Sequence, residues 1–219
     1  MYQPHVQVLG DRLWSRLKEL APLRIRPARS MLLREGDPGT HVLLLAQGSA
    51  VVTLTSGEGE RMLLAVRGAG ELLGELAVLD AKPRTASVFA AESCGLHIIP
   101  AADFLDFVEQ HQLLAPLLRH AIARVREADA VRLELATAPV PVRLASALSR
   151  LCAATAPPSR TVTVRLTQAE LSQLIGASRN AVGSALKPWR ERGWLETTSG
   201  GGLRIRNISA IQSHASSAG

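Results

Sequence analysis

Residues 74–88, GELAVLDAKPRTASV, contain side chains that together could hold a small anion. Glu75 follows a glycine, and Arg84 and Thr85 come after a short stretch that ends in proline. An arginine guanidinium is a fixed fork of N–H donors, and the free backbone N–H groups at a helix start add further donors. A neighbouring carboxylate can accept hydrogen bonds from hydroxyl groups of the same ligand. These residues leave one alternative open, an ion pair between Glu75 and Arg84.

Upstream of this run, glycines separate short apolar stretches. Turns fall at REGD (34–37), QGS (47–49) and GAGE (68–71), so short strands and tight turns follow one another. This pattern predicts a small β-barrel.

The run at 74–88 resembles the phosphate-binding cassette of cyclic-nucleotide-binding domains, and that family places its glycine turns similarly. The resemblance implies that Arg84 clamps the cyclic phosphate, while Glu75 accepts a hydrogen bond from the ribose 2′-hydroxyl. It also implies that the backbone approaches the ligand closely at the glycine and that the threonine adds a hydroxyl and an N–H. The nucleotide-binding residues expected in the cassette are Gly74, Glu75, Leu76, Arg84 and Thr85. The expected effector is cAMP, with cGMP as the other candidate.

Length and composition describe an ordinary globular chain of one or two domains, with 219 residues of which 47% are hydrophobic. No apolar run approaches the ~20 residues of a membrane span, and the first twenty residues lack a signal-peptide core. We therefore expect a cytoplasmic protein without a membrane partner. Cys94 and Cys152 form no CxxC pair, and the six histidines show no ligand spacing. The sequence thus predicts no metal site, iron–sulfur cluster or haem.

The excess positive charge lies in the last third of the chain. Residues 143–219 contain ten Lys/Arg and three Asp/Glu, a balance of +7, whereas residues 1–142 contain fifteen and sixteen, a balance of −1. A basic module beside a nearly neutral one is typical of nucleic-acid binding. We therefore expect the C-terminal third to contact nucleic acid.

This basic third has the layout of a winged helix-turn-helix over residues 166–207. Thr167 and Glu170 form a capping-box pattern that opens a helix through about Ile175, and Gly176 ends it. A second helix follows, and alternating residues on either side of a Ser-Gly-Gly-Gly turn predict a two-stranded wing. The cap and the polar face of the second helix supply the candidate DNA-binding residues: Ser178, Arg179, Asn180, Ser184 and Lys187.

The core of this motif, LIGASRNAVG, closely resembles the DNA-reading motif of the catabolite-activator (CRP/FNR) family. Arg179 suits a bidentate contact to guanine, whereas Asn180 stands where the catabolite activators usually have a glutamate and pairs best with adenine. Ser184 replaces a second arginine, and Lys187 is expected at a phosphate. Pro188 is expected to kink or end the helix.

A helical stretch is predicted over about 102–137. Its rear half has apolar residues with spacings of 4 and 3, which suggest a coiled-coil seam: Leu118, Ile122, Val125, Leu133 and Ala136. Taken alone, this stripe could equally pack on the barrel. In the CRP/FNR family the helix forms the dimer axis and closes over the nucleotide base, so the resemblance implies a homodimer. Asp129 is then a candidate base contact, or it pairs with Arg126 or Arg132.

The whole chain resembles a CRP/FNR-family transcription regulator. The implied fold class is α+β: an N-terminal β-roll (the cyclic-nucleotide-binding jelly roll) with flanking helices, a long dimerisation helix and a C-terminal winged helix-turn-helix. The prolines of TAPVPVR suit a hinge before the last domain, and APPSR (156–160) is a shorter loop. The expected divisions of the chain are 1–107, 108–137, 138–142 and 143–219.

The resemblance also implies partners: double-stranded DNA with an inverted repeat, a second copy of the chain, and RNA polymerase. After residue 107 the sequence shows no metal cluster, nucleophile–base pair or Gly-rich phosphate loop, so we do not expect an enzyme. The expected function is a DNA-binding transcriptional regulator under allosteric control by a cyclic nucleotide. The alternative is a member of the same family that responds to another small molecule or to none.

Overall fold

The computed structural model describes residues 3–55, 57, 61–155 and 161–217. The chain forms two compact units, Met1–Glu127 and Ala128–Gly219. The loop predicted at 156–160 lies outside the described residues. Within them, no helix is both long enough and apolar enough to cross a membrane.

Eight strands of the first unit form two four-stranded antiparallel sheets. The strands are β1 (Leu23–Arg26), β2 (Met31–Leu33), β3 (His41–Gln47), β4 (Ser49–Thr55), β5 (Arg61–Gly68), β6 (Glu71–Leu73), β7 (Ser87–Ala90) and β8 (Cys94–Pro100). One sheet, here called sheet A, has the order β1-β8-β3-β6, and the other, sheet B, has the order β2-β7-β4-β5. The predicted succession of strands and tight turns is thus present.

The helices with residues in this unit are α1 (His5–Leu9), α2 (Asp11–Glu19), α3 (Glu75–Leu79), α4 (Ala101–Gln110) and the first part of α5 (Leu114–Thr137). Strand β3 of sheet A is buried on both faces, so it is a continuous apolar run instead of an alternation. Val42 and Leu44 of β3 pack with residues of α1, α2, α4 and α5. Leu43 and Leu45 pack in a second cluster with residues of sheet B. The unit therefore has two cores, one on each side of sheet A.

The helical stretch predicted over about 102–137 is two helices, because the chain breaks between α4 and α5. Gln112 has φ +52° and its N–H donates to the carbonyl of Glu109, while the N–H of Leu113 donates to that of Val108. These two bonds form a Schellman motif, which ends a helix by a left-handed residue. Leu113 and Val108 are both buried, so an apolar contact fixes the break.

The second unit contains the rear of α5 and a small α+β arrangement. Its further elements are α6 (Val140–Thr155), β9 (Val162–Val164), α7 (Gln168–Leu174), α8 (Arg179–Glu191), β10 (Leu195–Thr197), β11 (Leu203–Ile205) and α9 (Ile208–Ser217). The predicted wing strands β10 and β11 pair antiparallel, and β9 adds a third strand to give the order β10-β11-β9. The predicted α+β fold class, with β-roll, long helix and winged helix-turn-helix, is confirmed.

Two expectations about prolines need correction in this unit. Residues 140–142, expected in the hinge, form the first turn of α6, because a proline in a first turn costs no helical hydrogen bond. Pro188 does not end α8, which continues to Glu191. Trp189 directly after it is fully buried, and its Nε1 donates to Nδ1 of His214 at 3.2 Å. This anchoring holds the last turn of α8 despite the missing N–H.

Candidate functional site

Arg84 is fixed in the first unit through both its main chain and its side chain. Its N–H donates to the carbonyl of Asp37 at 2.8 Å, and its carbonyl accepts from the N–H of Gly36 at 2.9 Å, so the REGD turn holds it. Nη1 donates to the carbonyl of Gly74 at 2.6 Å and Nη2 to that of His41 at 2.5 Å. The residue is only 4% exposed. Burial lowers the pKa of the guanidinium from its ordinary value.

Gly74 is required where the cassette turns from β6 into α3. It has φ +80°, a left-handed conformation that glycine adopts without strain. A Cβ there would also collide with Nη1 of Arg84 and with the side chain of Leu33. Helix α3 spans five residues, too few for a large dipole, so the guanidinium is the main positive charge beside the turn.

Glu75 is buried at the first position of α3 and pairs with a residue that the sequence analysis did not single out. Nη1 of Arg124 on α5 donates to its Oε1 at 3.1 Å. Burial raises the pKa of the Glu75 carboxyl, and Arg124 lowers it. The two residues lie 49 positions apart. The available signal was indirect: a carboxylate next to a glycine turn in an apolar stretch needs a cation from elsewhere in the chain.

The open alternative of an ion pair between Glu75 and Arg84 is not what the described residues form. Arg84 bonds to backbone carbonyls and Glu75 to Arg124. The other two cassette residues, Leu76 and Thr85, are exposed next to this buried pair. The structure thus places Gly74, Glu75, Leu76, Arg84 and Thr85 around one turn, while their role in nucleotide binding stays a prediction.

Asp129 belongs to the second unit. Its Oδ1 accepts from Nη1 of Arg132 at 3.0 Å, which is one of the ion pairs left open by the sequence. Both side chains are well exposed, so this pair contributes little to stability. A role of Asp129 as a base contact stays a prediction.

The helix-turn-helix of the second unit is built by local signals that the sequence contains. Oγ1 of Thr167 accepts from the N–H of Glu170, and the Glu170 carboxylate accepts from the N–H of Thr167, so the capping box is complete. Gly176 has φ +58° and ends α7 as predicted. Oγ of Ser178 accepts from the N–H of Ala181 and caps α8. The Ser178 hydroxyl is therefore engaged with the backbone of its own helix.

Helix α8 buries one face and exposes the other. Val182, Ala185, Leu186 and Trp189 are buried. The side chains predicted to read DNA form the exposed set: Arg179, Asn180, Ser184 and Lys187. The Lys187 ammonium lies 4.0 Å from the Glu191 carboxylate on the next turn, a weak surface pair that leaves the lysine available.

Arginines missed by the sequence analysis support this motif. Nη1 of Arg143 on α6 donates to the carbonyl of Leu135 at the end of α5 and to that of Gly176 in the turn between α7 and α8. In the wing, Arg204 and Arg206 both donate to the carboxylate of Glu196, at 2.6 and 2.7 Å. This carboxylate partly offsets the positive charge of the wing.

Comparisons with known proteins point in one direction for both units. The sequence matches the cyclic nucleotide-binding domain over residues 24–111 and the Crp-like helix-turn-helix domain over residues 142–213. The Cyclic AMP receptor protein of Thermus thermophilus is 32% identical over 190 residues, which cover 86% of each chain. The CRP-like cAMP-activated global transcriptional regulator of Mycobacterium tuberculosis is 28% identical over 182 residues, 81% of each chain.

A solved structure shows the same fold at lower identity. The c-di-GMP responsive global regulator CLP of Xanthomonas campestris matches with a TM-score of 0.68 at 20% identity, and the match covers 90% of this chain and 99% of that one. The arrangement of β-roll, long helix and helix-turn-helix is therefore shared with a transcriptional regulator.

We expect Arg124→Gln to lower the free energy of unfolding by about 2 kcal/mol, because it leaves the Glu75 carboxylate buried without its cation. Urea denaturation measures the loss. Arg119→Gln, on an exposed position of the same helix, is the control and should change stability by less than about 0.5 kcal/mol. Adding Glu75→Gln to Arg124→Gln should restore part of the lost stability, because the buried charge is then gone. If the double variant loses as much free energy of unfolding as Arg124→Gln alone, the pairing is contradicted.

Proposed function

The chain belongs to the CRP/FNR family of transcription regulators, and we propose that it is a homodimer in which a cyclic nucleotide, cAMP or cGMP, controls DNA binding. The comparisons support the coarser statement directly, a DNA-binding regulator with a cyclic-nucleotide-binding domain. The finer statement rests on the residues of the cassette, of α5 and of α8.

The buried guanidinium of Arg84 is the observation that carries the ligand proposal. Within the described residues, no carboxylate lies within 4.0 Å of its nitrogens, and its two side-chain bonds go to neutral carbonyls. A charge taken out of water in this way gains most from a partner of opposite sign. Exchanging carbonyls for the oxygens of a cyclic phosphate adds the attraction of a full negative charge to bonds that the ionised guanidinium already makes. The exposed Thr85 beside it adds a hydroxyl for the same phosphate.

Glu75 and Arg124 provide the route from the ligand to α5. A ribose 2′-hydroxyl that donates to Glu75 has to share the carboxylate with Arg124, because that carboxylate is already engaged at 3.1 Å. Binding therefore changes the environment of a residue on α5. If α5 forms the dimer axis, this change biases one packing of the two copies over another, which is a population shift.

Exposed apolar side chains on α5 support the homodimer. Within the first unit, Leu118, Ile122 and Val125 are 58%, 45% and 61% exposed, and Leu133 in the second unit is 66% exposed. The alternative that the stripe packs on the β-barrel is not favoured by these values. We propose residues 1–107 as the sensor, 108–137 as the dimerisation region, the break at 138–139 between α5 and α6 as the hinge, and 143–219 as the DNA-binding domain, with RNA polymerase as a further partner.

A family member with another effector is the second candidate. One observation favours it: Ala128 and Asp129 stand where the adenine-sensing activator presents hydroxyl residues from the dimer helix, and Asp129 is paired with Arg132. Binding of DNA without any response to cAMP or cGMP would support this candidate over the first.

We expect Arg84→Leu to abolish binding of cAMP and cGMP, and Arg84→Lys to weaken it at least tenfold, because lysine keeps the charge but lacks the fixed fork. Calorimetric titration of the nucleotide-stripped chain measures both affinities, and circular dichroism checks that each variant is folded. Arg12→Leu, on the exposed side of α2, is the matched control and should bind like the unchanged chain. Unchanged affinity in Arg84→Leu would show that the cassette is not the binding site.

Asp129 is expected to contact the nucleotide base. A carboxylate accepts from the adenine amino group, or from N1–H and N2–H of guanine, so Asp129 should permit both nucleotides. We expect cAMP binding with a preference over cGMP below a hundredfold, which corresponds to about 2.7 kcal/mol. Competition titrations measure the ratio, and Asp129→Ala should change it. A ratio above a hundredfold would overturn the assignment.

We also expect the dimer to select a defined DNA site. A two-fold dimer should select an inverted repeat with half-sites about 10 to 10.5 base pairs apart. Selection from random DNA should keep one G·C pair for Arg179 and relax or turn toward A·T where Asn180 and Ser184 face the bases. Lys187→Gln should weaken binding to all sequences alike and reduce the salt slope by about one unit. Recovery of the family's usual half-site at full stringency would contradict the readout by Asn180 and Ser184.

A further inference from the structure

Two histidines and a glutamate meet in the interior of the first unit, outside the cassette. His5 lies on α1, Glu71 on β6 and His120 on α5, and each offers a ligand atom within 4.8 Å of the other two. The three residues, here called the histidine–glutamate cluster, are 1%, 1% and 6% exposed. The three residues lie far apart in the sequence, so no short ligand spacing along the chain marks them as a metal site.

Nε2 of His120 lies 3.0 Å from the carbonyl of Gln3, but one polar atom of Glu71 has no partner within the described part of the chain. Oε2 of Glu71 lies 2.6 Å from Nδ1 of His5, which also accepts from the N–H of Leu72. Oε1 of Glu71 is buried and has no hydrogen-bond partner among the described residues. A buried carboxylate oxygen without a partner is costly and points to a missing ligand.

We propose that His5, Glu71 and His120 bind a divalent transition-metal cation of the Zn²⁺ type. Two imidazoles and one carboxylate are a ligand set that Zn²⁺ accepts in proteins. With metal–ligand distances of about 2.0–2.2 Å, ligand atoms around one tetrahedral ion lie roughly 3.3–3.5 Å apart. The ligand atoms of the cluster lie within 4.8 Å of one another, so binding an ion requires the carboxylate and the rings to adjust.

Neighbouring charges set limits on this site. Oε1 of Glu75 lies 3.8 Å from Nε2 of His5, but Arg124 already engages this oxygen, so Glu75 is not counted as a ligand. Glu75 pairs with Arg124 and offsets its positive charge. The positive charge of Arg67 also acts on His5 and therefore disfavours a bound metal cation. We therefore expect weaker binding than at a cysteine-rich zinc site. A bound cation would join the N-terminal segment, β6 and α5 beside the carboxylate that the ribose is proposed to use.

The test uses the full chain, freed of metal by a chelator and of nucleotide. Metal analysis after dialysis against Zn²⁺ should give one ion per chain, and Co²⁺ should produce visible absorption that Zn²⁺ removes. The midpoint of thermal unfolding should rise with Zn²⁺, as for any ligand of the folded state. Because nucleotide is absent, failure of this proposal and failure of the nucleotide proposal are distinguishable.

Matched variants decide whether the cluster is the site. Glu71→Gln and His120→Gln should each weaken Zn²⁺ binding at least tenfold and remove the thermal shift. His97→Gln, which changes a histidine of the same unit outside the cluster, should bind like the unchanged chain. Absence of stoichiometric Zn²⁺ binding overturns the proposal, and so does binding that both cluster variants leave intact. In either case the cluster is an internal hydrogen-bond network.

Discussion

The burial of two opposite charges at one turn is the constraint on which the first unit depends. Arg84 and Glu75 are each 4% exposed, and a charge removed from water at that depth has to be compensated locally. Arg84 is compensated by carbonyls of Gly74 and His41, and Glu75 by Arg124. These partners belong to the cassette turn, to β3 and to α5. Correct placement of the two charges therefore requires sheet A, the glycine turn and the long helix to be assembled together.

Compensation by carbonyls differs in its consequence from compensation by a carboxylate. A carboxylate would neutralise Arg84 and leave it little affinity for an anion, whereas a carbonyl satisfies the N–H donors without removing the charge. The site therefore remains positive although its hydrogen bonds are made. The Glu75 carboxylate differs from Arg84, because Arg124 already offsets its negative charge. Its remaining hydrogen-bond acceptor sites therefore suit neutral donors such as hydroxyl groups. This asymmetry matches a ligand that carries an anion at one end and hydroxyl groups at the other.

The sequence predicted elements wherever the signal was local, and it failed where the signal was a long-range contact. Helices α4, α7 and α8 end in the same Schellman motif, with a left-handed residue after the last turn: Gln112, Gly176 and Gly193. The end of α7 at Gly176 was predicted, because glycine adopts this conformation freely. The end of α4 was not, because Gln112 is held left-handed by the burial of Leu113 against Val108. Locality also explains which charged residues the sequence singled out. Arg84 and Glu75 lie in one short run, whereas Arg124 contacts Glu75 from 49 positions away.

The chemistry of α8 follows from the small size of its exposed residues. Between Arg179 and Lys187 the outward positions are filled by Asn180, Ser184 and Gly183, none with a long side chain. Short side chains reach base edges only if the helix backbone itself lies close to the groove floor, and small neighbours permit that approach. Ser178 caps the helix, and its hydroxyl oxygen fixes the start of α8 by accepting from the N–H of Ala181. Trp189 anchors the far end in the core. Helix α8 is therefore fixed at both ends, with short side chains on its outward positions between them.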